Sequence, residues 1–276
     1  MHIQIHTLST YESLSLSKIN TGLGNVLFQI ASLYGIGKKS NRTISYDSLR
    51  LFSKKLKDNF NYNHEETIYR KFLEYSDYSN NSGSIIYEEM SRQYDHRIVE
   101  YSISSCESLN IRGHFEYPGY FHNYRDDILK LLSIDDTSLL YIKNKYAIVF
   151  DTSVEPISVH FRFGDFGSDL HLSGEYYINA IKYIKDRVEN PILLIFSDEI
   201  EKTRHYFDAY TIPIIFIKDN PDYIDLWLMS LCKHNITCRS TFSWWGAYLN
   251  QNIDKIVIYK EGNPGIYNFI ENSICL

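Results

Sequence analysis

From residue 156 onward the apolar positions follow two alternating periods. Residues 156–163 form a short β-rich run that reads as a strand, and residues 176–188 carry Tyr177, Ile181 and Ile184 at helical spacing. Residues 191–196 are continuously apolar, the pattern of a strand buried on both faces of a parallel sheet. The alternation continues as helix over 199–207, strand over 212–217, helix over 222–232, strand over 235–238, helix over 244–250 and strand over 255–259. Elements of this length in this order predict a doubly wound α/β domain. The first half is less regular. Residues 24–37 place Leu27, Ile30, Ala31 and Tyr34 on one helical face, and a short strand is expected over 43–46. Residues 59–110 are polar, aromatic and irregular, with Asn80, Asn81, Ser82 and Gly83 a plain turn signal. A strand over 109–115 and a helix over 120–132 follow, and the polar stretch 133–145 suits a domain connection. The boundary is therefore expected near 145–152, dividing the chain into domains 1–148 and 149–276.

With 276 residues, one large or two modest domains are open. Hydrophobic residues at 44% against 22% charged describe a folded chain rather than a disordered one. The 28 basic and 34 acidic side chains give a formal charge of −6, which excludes a broad positive surface for nucleic acid or an anionic membrane. Any phosphate must be met locally. Cys106, Cys232, Cys238 and Cys275 form no C-x-x-C pair and are too sparse for a disulfide framework, so a reducing compartment is expected. No run approaches the ~18 apolar residues of a membrane span, and the first six residues lack the order of a signal peptide. A soluble, cytoplasmic protein is the expectation. The sequons at Asn41, Asn80 and Asn235 are read as chance, and no repeat or heptad run stands out.

Four segments carry candidate chemistry. Thr21-Gly22-Leu23-Gly24-Asn25 directly precedes a helix, where glycines admit a ligand to the backbone and free N–H groups favour an anion. As a dinucleotide fingerprint it fails, because Leu27 occupies the third glycine position, and by itself it reads best as a tight turn. His160-Phe161-Arg162-Phe163-Gly164-Asp165 presents His, Arg and Asp at the carboxyl end of a strand, where open α/β sheets hold ligands. Residues 160 and 162 share a face, and a structural Arg–Asp pair closing a turn is the plainer alternative. Arg239-Ser240-Thr241-Phe242-Ser243-Trp244-Trp245-Gly246 opens a helix; capping explains one of its three hydroxyls, and an anion site explains more. Trp244 and Trp245 are read as mainly structural. At Phe196-Ser197-Asp198-Glu199 a carboxylate again stands at a strand end, with an ordinary N-cap as the alternative. Together these place Arg, hydroxyls and an acid at successive strand ends, opposite a glycine loop of another domain, which describes a nucleotide-diphosphate cleft.

The order of the motifs resembles the α-1,2-fucosyltransferase family, glycosyltransferase family eleven, over nearly the whole chain, with 59–110 the poorest part. The family's G-G-L-G-N-Q-x-F-Q-x-A is matched from Thr21 to Ala31, and its H-x-R-R-G-D from His160 to Asp165. Its G-Y-F-Q-s-x-x-Y-F segment is recognisable from Gly113 to Phe121. Tyr176-Tyr177, the F-S-D-[DE] at 196–199, residues 228–236 and the S-[ST]-F-S-W-W-G-A-x-L-N run at 240–250 follow in family order.

The resemblance implies a GT-B architecture, two facing Rossmann-like domains with the donor cleft between them. It implies GDP-fucose as donor substrate, a galactose-containing glycan as acceptor, inversion of the anomeric centre, and neither metal nor cofactor. The chain itself contains no Asp-x-Asp motif. By the same resemblance, Arg162 and the helix start at Ser240, Thr241 and Phe242 stabilise the leaving diphosphate. His160 and Asp198, with Ser197, meet the nucleoside end, while Gly22, Gly24 and Asn25 close over diphosphate and sugar. Asp165 stands with Arg162 as a catalytic residue; His171 and Glu175 are the other candidates for a base, in a reaction whose oxocarbenium character asks little of one. Four positions depart from the family: Phe163 replaces the second Arg, Arg239 an Asn, Thr21 the first Gly and Val26 the Gln. They leave two alternatives, a transferase for another nucleotide sugar and a non-catalytic glycan-binding protein, to which the 24 tyrosines are suited.

Overall fold

The computed structural model describes residues 2–5, 22–45, 68, 70–74, 85–88, 94–104, 109–164, 171–208, 210–260 and 264–276. Asp165 and Thr21 lie outside them, as does Cys106. The chain divides into two compact units, Met1–Ile134 and Asp135–Leu276.

The first unit contains β1 (His2–Ile5), α1 (Leu23–Lys39), β2 (Thr43–Ser45), α2 (Arg70–Glu74), β3 (Ile85–Glu88), α3 (His96–Ser104), β4 (Leu109–Arg112) and α4 (Arg125–Leu131). Its strands pair in the order β2-β1-β4-β3, all parallel. The expected one-sided helix is instead covered almost all round: from Leu23 to Gly37 only Asn25 is not buried. Apolar residues on every side of α1 favour that burial, and Gly35 permits it. A Cβ there would lie 2.1 Å from the Tyr120 carbonyl oxygen, so the helix lies directly against the turn Pro118–Tyr120. Part of the stretch expected to be irregular, 59–110, holds β3 and α3.

The second unit contains α5 (Asp136–Lys145), β5 (Glu155–Phe161), α6 (Gly174–Lys185), β6 (Pro191–Ser197), α7 (Ile200–Thr203), β7 (Ile214–Phe216) and α8 (Asp222–Leu231). It closes with β8 (His234–Ile236), α9 (Thr241–Leu249), β9 (Val257–Tyr259), α10 (Pro264–Tyr267) and β10 (Ser273–Cys275). The sheet order β10-β9-β8-β5-β6-β7, parallel throughout, is the order of the dinucleotide-binding fold counted from β5. Strands are added to one side of β5 and then to the other. The order therefore reverses between β5 and β8, which opens a crevice beyond their carboxyl ends.

The connection expected over 133–145 is a helix. Asp135 caps α5 by accepting from the Ser138 amide at 2.9 Å. Tyr141, Lys145 and Tyr146 all reach Asn220 in the loop before α8, which ties α5 to the second unit. The division accordingly falls after Ile134, earlier than the 145–152 window. Only Ser138 and Ile142 of α5 are buried, and its apolar residues fall in one consecutive run, 139–142, rather than at helical spacing, so no apolar stripe marks it. Trp244 and Trp245 are fully buried and meet edge to face, as a structural reading requires. Among the described residues no helix is long and apolar enough to cross a membrane.

Candidate active site

Strand β5 sorts its side chains by parity. Ile157, Val159 and Phe161 enter the apolar cluster shared with Tyr177 and Ile181 of α6. Ser158 and His160 take the other parity and join polar partners. Asn235 Nδ2 donates to Ser158 Oγ at 2.7 Å, and Asn250 Nδ2 to Asn235 Oδ1 at 2.8 Å. His160 Nδ1 lies 3.1 Å from Cys238 Sγ, just beyond β8, and the imidazole packs against the Phe242 ring. The expected strand over 156–163 stops at Phe161, and the reason lies on β6.

Asp198, directly after β6, draws the chain out of the sheet. Its carboxylate accepts from the amides of Phe163 at 3.0 Å and Gly164 at 2.8 Å, and pairs with Arg162 Nη1 at 3.2 Å. Gly164 is needed for this approach, since a Cβ there would stand 2.7 Å from Asp198 Oδ2. Burial works to raise the Asp198 carboxyl, but the two amides and Arg162 outweigh it and hold it below the usual carboxylate range. Asp198 thus orients Arg162 while the guanidinium remains partly open to solvent. Ser197 Oγ accepts from the Glu199 amide at 3.0 Å, shaping the same turn.

His160 is almost completely buried. Desolvation, then the positive charge of Arg162, pushes its pKa down to about 3, with Asp198 opposing, so the ring is neutral at physiological pH. Burial pushes the Cys238 thiol up to about 12, which keeps it protonated.

Across the crevice α9 begins. Ser240 caps it by accepting from the Phe242 amide at 3.2 Å. Ser243 turns inward, donating to the Ser240 carbonyl at 3.2 Å and accepting from the Cys238 amide at 3.3 Å. Two of the three hydroxyls are thereby structural, and half-exposed Thr241 is the third. Arg239 is half-buried beside this start. Phe163, which stands where the resemblance expects Arg, packs on Phe161 and the α6 cluster. His171 meets the Phe163 carbonyl through Nε2 at 2.8 Å, and Glu175 is exposed in the first turn of α6.

In the first unit α1 follows β1, and Gly22 is its N-cap with φ −66° and ψ 159°. Gly22 itself has no side chain to cap the helix. Gly24 is buried and Asn25 half-buried, its amide donating to the Gly22 carbonyl at 3.1 Å. Two residues that the sequence reading did not single out hold the region beside them: Gln29 Nε2 donates to the Gly113 carbonyl at 2.8 Å and Ser32 Oγ to that of Phe115 at 3.2 Å. Polar side chains on a buried helix face were the available signal. The second unit thus gathers His160, Arg162, Asp198 and the 240–242 start, whereas Gly22, Gly24 and Asn25 belong to the first. Among the described residues no group of three or more His, Cys, Asp or Glu is arranged to hold a metal ion.

The site can therefore offer an anion a fixed guanidinium, a helix N-terminus and hydroxyls at a topological switch point. Residues 20–264 match the family model for glycosyl transferase family 11. The O-antigen biosynthesis glycosyltransferase WbnK of Escherichia coli is 34% identical over 159 residues, a match spanning 52% of this chain and 52% of WbnK. An alpha-1,2-colitosyltransferase of Escherichia coli is 28% identical over 260 residues, covering 86% of this chain and 88% of its own. Among solved structures, the fucosyltransferase NodZ from Bradyrhizobium shares the fold with a TM-score of 0.53 at 13% identity, covering 82% of this chain and 89% of NodZ.

Proposed function

The chain belongs to glycosyl transferase family 11, and from that premise we propose that it transfers fucose from GDP-fucose to a hydroxyl of a galactose-containing glycan in α-1,2 linkage. The observation that carries the reading is the Arg162–Asp198 pair, a guanidinium fixed at the carboxyl end of β5 where the strand order reverses. In the proposed reaction the glycosidic bond to the diphosphate breaks as the acceptor oxygen attacks the opposite face, inverting the anomeric carbon. Negative charge then gathers on the leaving GDP. Arg162, with the start of α9 at Ser240, Thr241 and Phe242, is assigned to stabilise it without a metal or other cofactor. His160, Ser197 and Asp198 are assigned to the nucleotide side, Asp198 chiefly through its hold on Arg162. Gly22, Gly24 and Asn25 are assigned to cover diphosphate and sugar, in a GT-B arrangement of two facing Rossmann-like domains whose first unit carries the acceptor side. Asp165 is proposed as the group that receives the acceptor proton, and the cytoplasm as the place of reaction.

The colitosyltransferase relative favours a second reading, the same transfer with a colitosyl donor. Incubating the protein with a panel of nucleotide sugars and galactose-terminated acceptors, with and without EDTA, tests both. GDP release from GDP-fucose that persists in EDTA and is lost in Arg162→Ala is the expected result. Release from another donor alone overturns the sugar assignment, and EDTA-sensitive release overturns the metal-free one.

A further inference from the structure

The imidazole of His160 is held from several directions within the second unit. Its residue is 6% exposed, its carbonyl accepts from Tyr177 Oη at 3.1 Å, and its ring lies 5.7 Å from that of Phe242. Nδ1 meets Cys238 Sγ at 3.1 Å, a short separation for sulfur and nitrogen. Among the described residues Nε2 makes no hydrogen bond, and it is not among the buried atoms sealed without a partner. One edge of a neutral ring thus remains available beside Arg162.

The proton between sulfur and nitrogen can be assigned from the partners. Ser243 Oγ accepts from the Cys238 amide and has better acceptors for its own proton in the carbonyls of Ser240 and Cys238. At 3.7 Å it is also a more distant partner for the thiol than the imidazole is. Thiol sulfur is a weak acceptor, whereas an unprotonated imidazole nitrogen is a strong one. The arrangement that satisfies both groups has the thiol donating to Nδ1, which leaves the ring's own proton on Nε2. We propose that Cys238 is a positioning residue: its thiol holds His160 as the Nε2–H tautomer, one fixed donor aimed at an acceptor oxygen of the nucleoside diphosphate. This rests on the donor site proposed above. A ring with the other tautomer would turn a lone pair toward a ligand rich in oxygen and repel it.

Tautomer and ligand can be tested separately. Nitrogen NMR of the intact protein carrying labelled histidine reads the protonated nitrogen directly, with no ligand present. His160 in the wild type is expected as Nε2–H alone across neutral pH. Cys238→Ala should give a mixture of tautomers and weaken GDP binding about 2–10-fold, the worth of one neutral hydrogen bond. Cys238→Ser, which keeps a donor, should restore the single tautomer and most of the affinity. An Nδ1–H tautomer in the wild type overturns the role of Cys238, as does Cys238→Ala that keeps both Nε2–H and full GDP affinity. If Cys238→Ala does not fold, the wild-type spectrum and Cys238→Ser still decide, because a serine variant with mixed tautomers also overturns it. Absence of any response to GDP in the wild type overturns the underlying donor assignment, while the ligand-free spectrum still decides the role of the thiol.

Discussion

The two helices that open the glycine motif and the serine motif begin in opposite ways. At α9 the start is secured by side chains: Ser240 caps the Phe242 amide, and Ser243 folds back on the Ser240 carbonyl and the Cys238 amide. At α1 the N-cap Gly22 has no side chain to cap the helix, and among the described residues a Cβ on it would meet nothing within 4 Å. The φ of −66° at Gly22 is open to any residue, so neither strain nor crowding within the described structure asks for glycine there. One helix start is built to be rigid by itself. The other, among the described residues, has open space at its first position.

The largest effect should come from the second unit. Arg162→Ala is expected to lower the rate of GDP release ~10²–10³-fold, the usual cost of losing one charge-stabilising donor, with thermal unfolding little changed because the side chain is partly exposed. Asp198→Asn should come next, at about a tenfold loss of GDP affinity, since it takes the Asp198 charge away from Arg162. The same variant gives a pH signature. The carboxyl of Asp198 is held low in the folded protein, so its stabilisation is present above the ordinary carboxylate range and is lost as pH falls through its lowered pKa. Asp198→Asn should therefore flatten the acid limb of the unfolding profile, and an unchanged limb would mean that the pair contributes nothing.

Smaller substitutions compare the helix starts directly. Ser240→Ala should cost about 1 kcal/mol of stability, read by denaturant unfolding, by removing the cap. Gly22→Ala should leave stability within ~0.5 kcal/mol, or raise it slightly through the unfolded chain, while weakening GDP-fucose binding by calorimetry. If Gly22→Ala instead destabilises the chain and leaves donor binding intact, the contrast between the two starts collapses.

The second unit was largely legible because its buried strands are short continuous apolar runs separated by helical spacing. The apolar run 191–196 stops one residue short of β6, and the alternation alone implies the parallel sheet. α5 was not legible, because a helix that buries only Ser138 and Ile142 leaves no apolar stripe, and what holds it is Asn220, some 80 positions away. The motifs marked the strand ends where Arg162 and Asp198 stand, but spacing carried no sign that Asp198 spends both oxygens on the 162–164 loop. The contact of His160 with Cys238 joins residues 78 positions apart and is equally invisible to local pattern.

The strand order of the second unit also sets a timetable for its synthesis. A chain emerging from its N-terminal side delivers the central strand β5 first, then β6 and β7 to one flank, and only afterwards β8 for the other. Until residues 234–236 emerge, one edge of β5 has no neighbour in this sheet, and an open edge invites pairing with other chains. Because α9 follows β8, the crevice is completed only after residues 241–249 have emerged, so a ligand held there can stabilise the finished unit but not the half-made sheet that most needs protection.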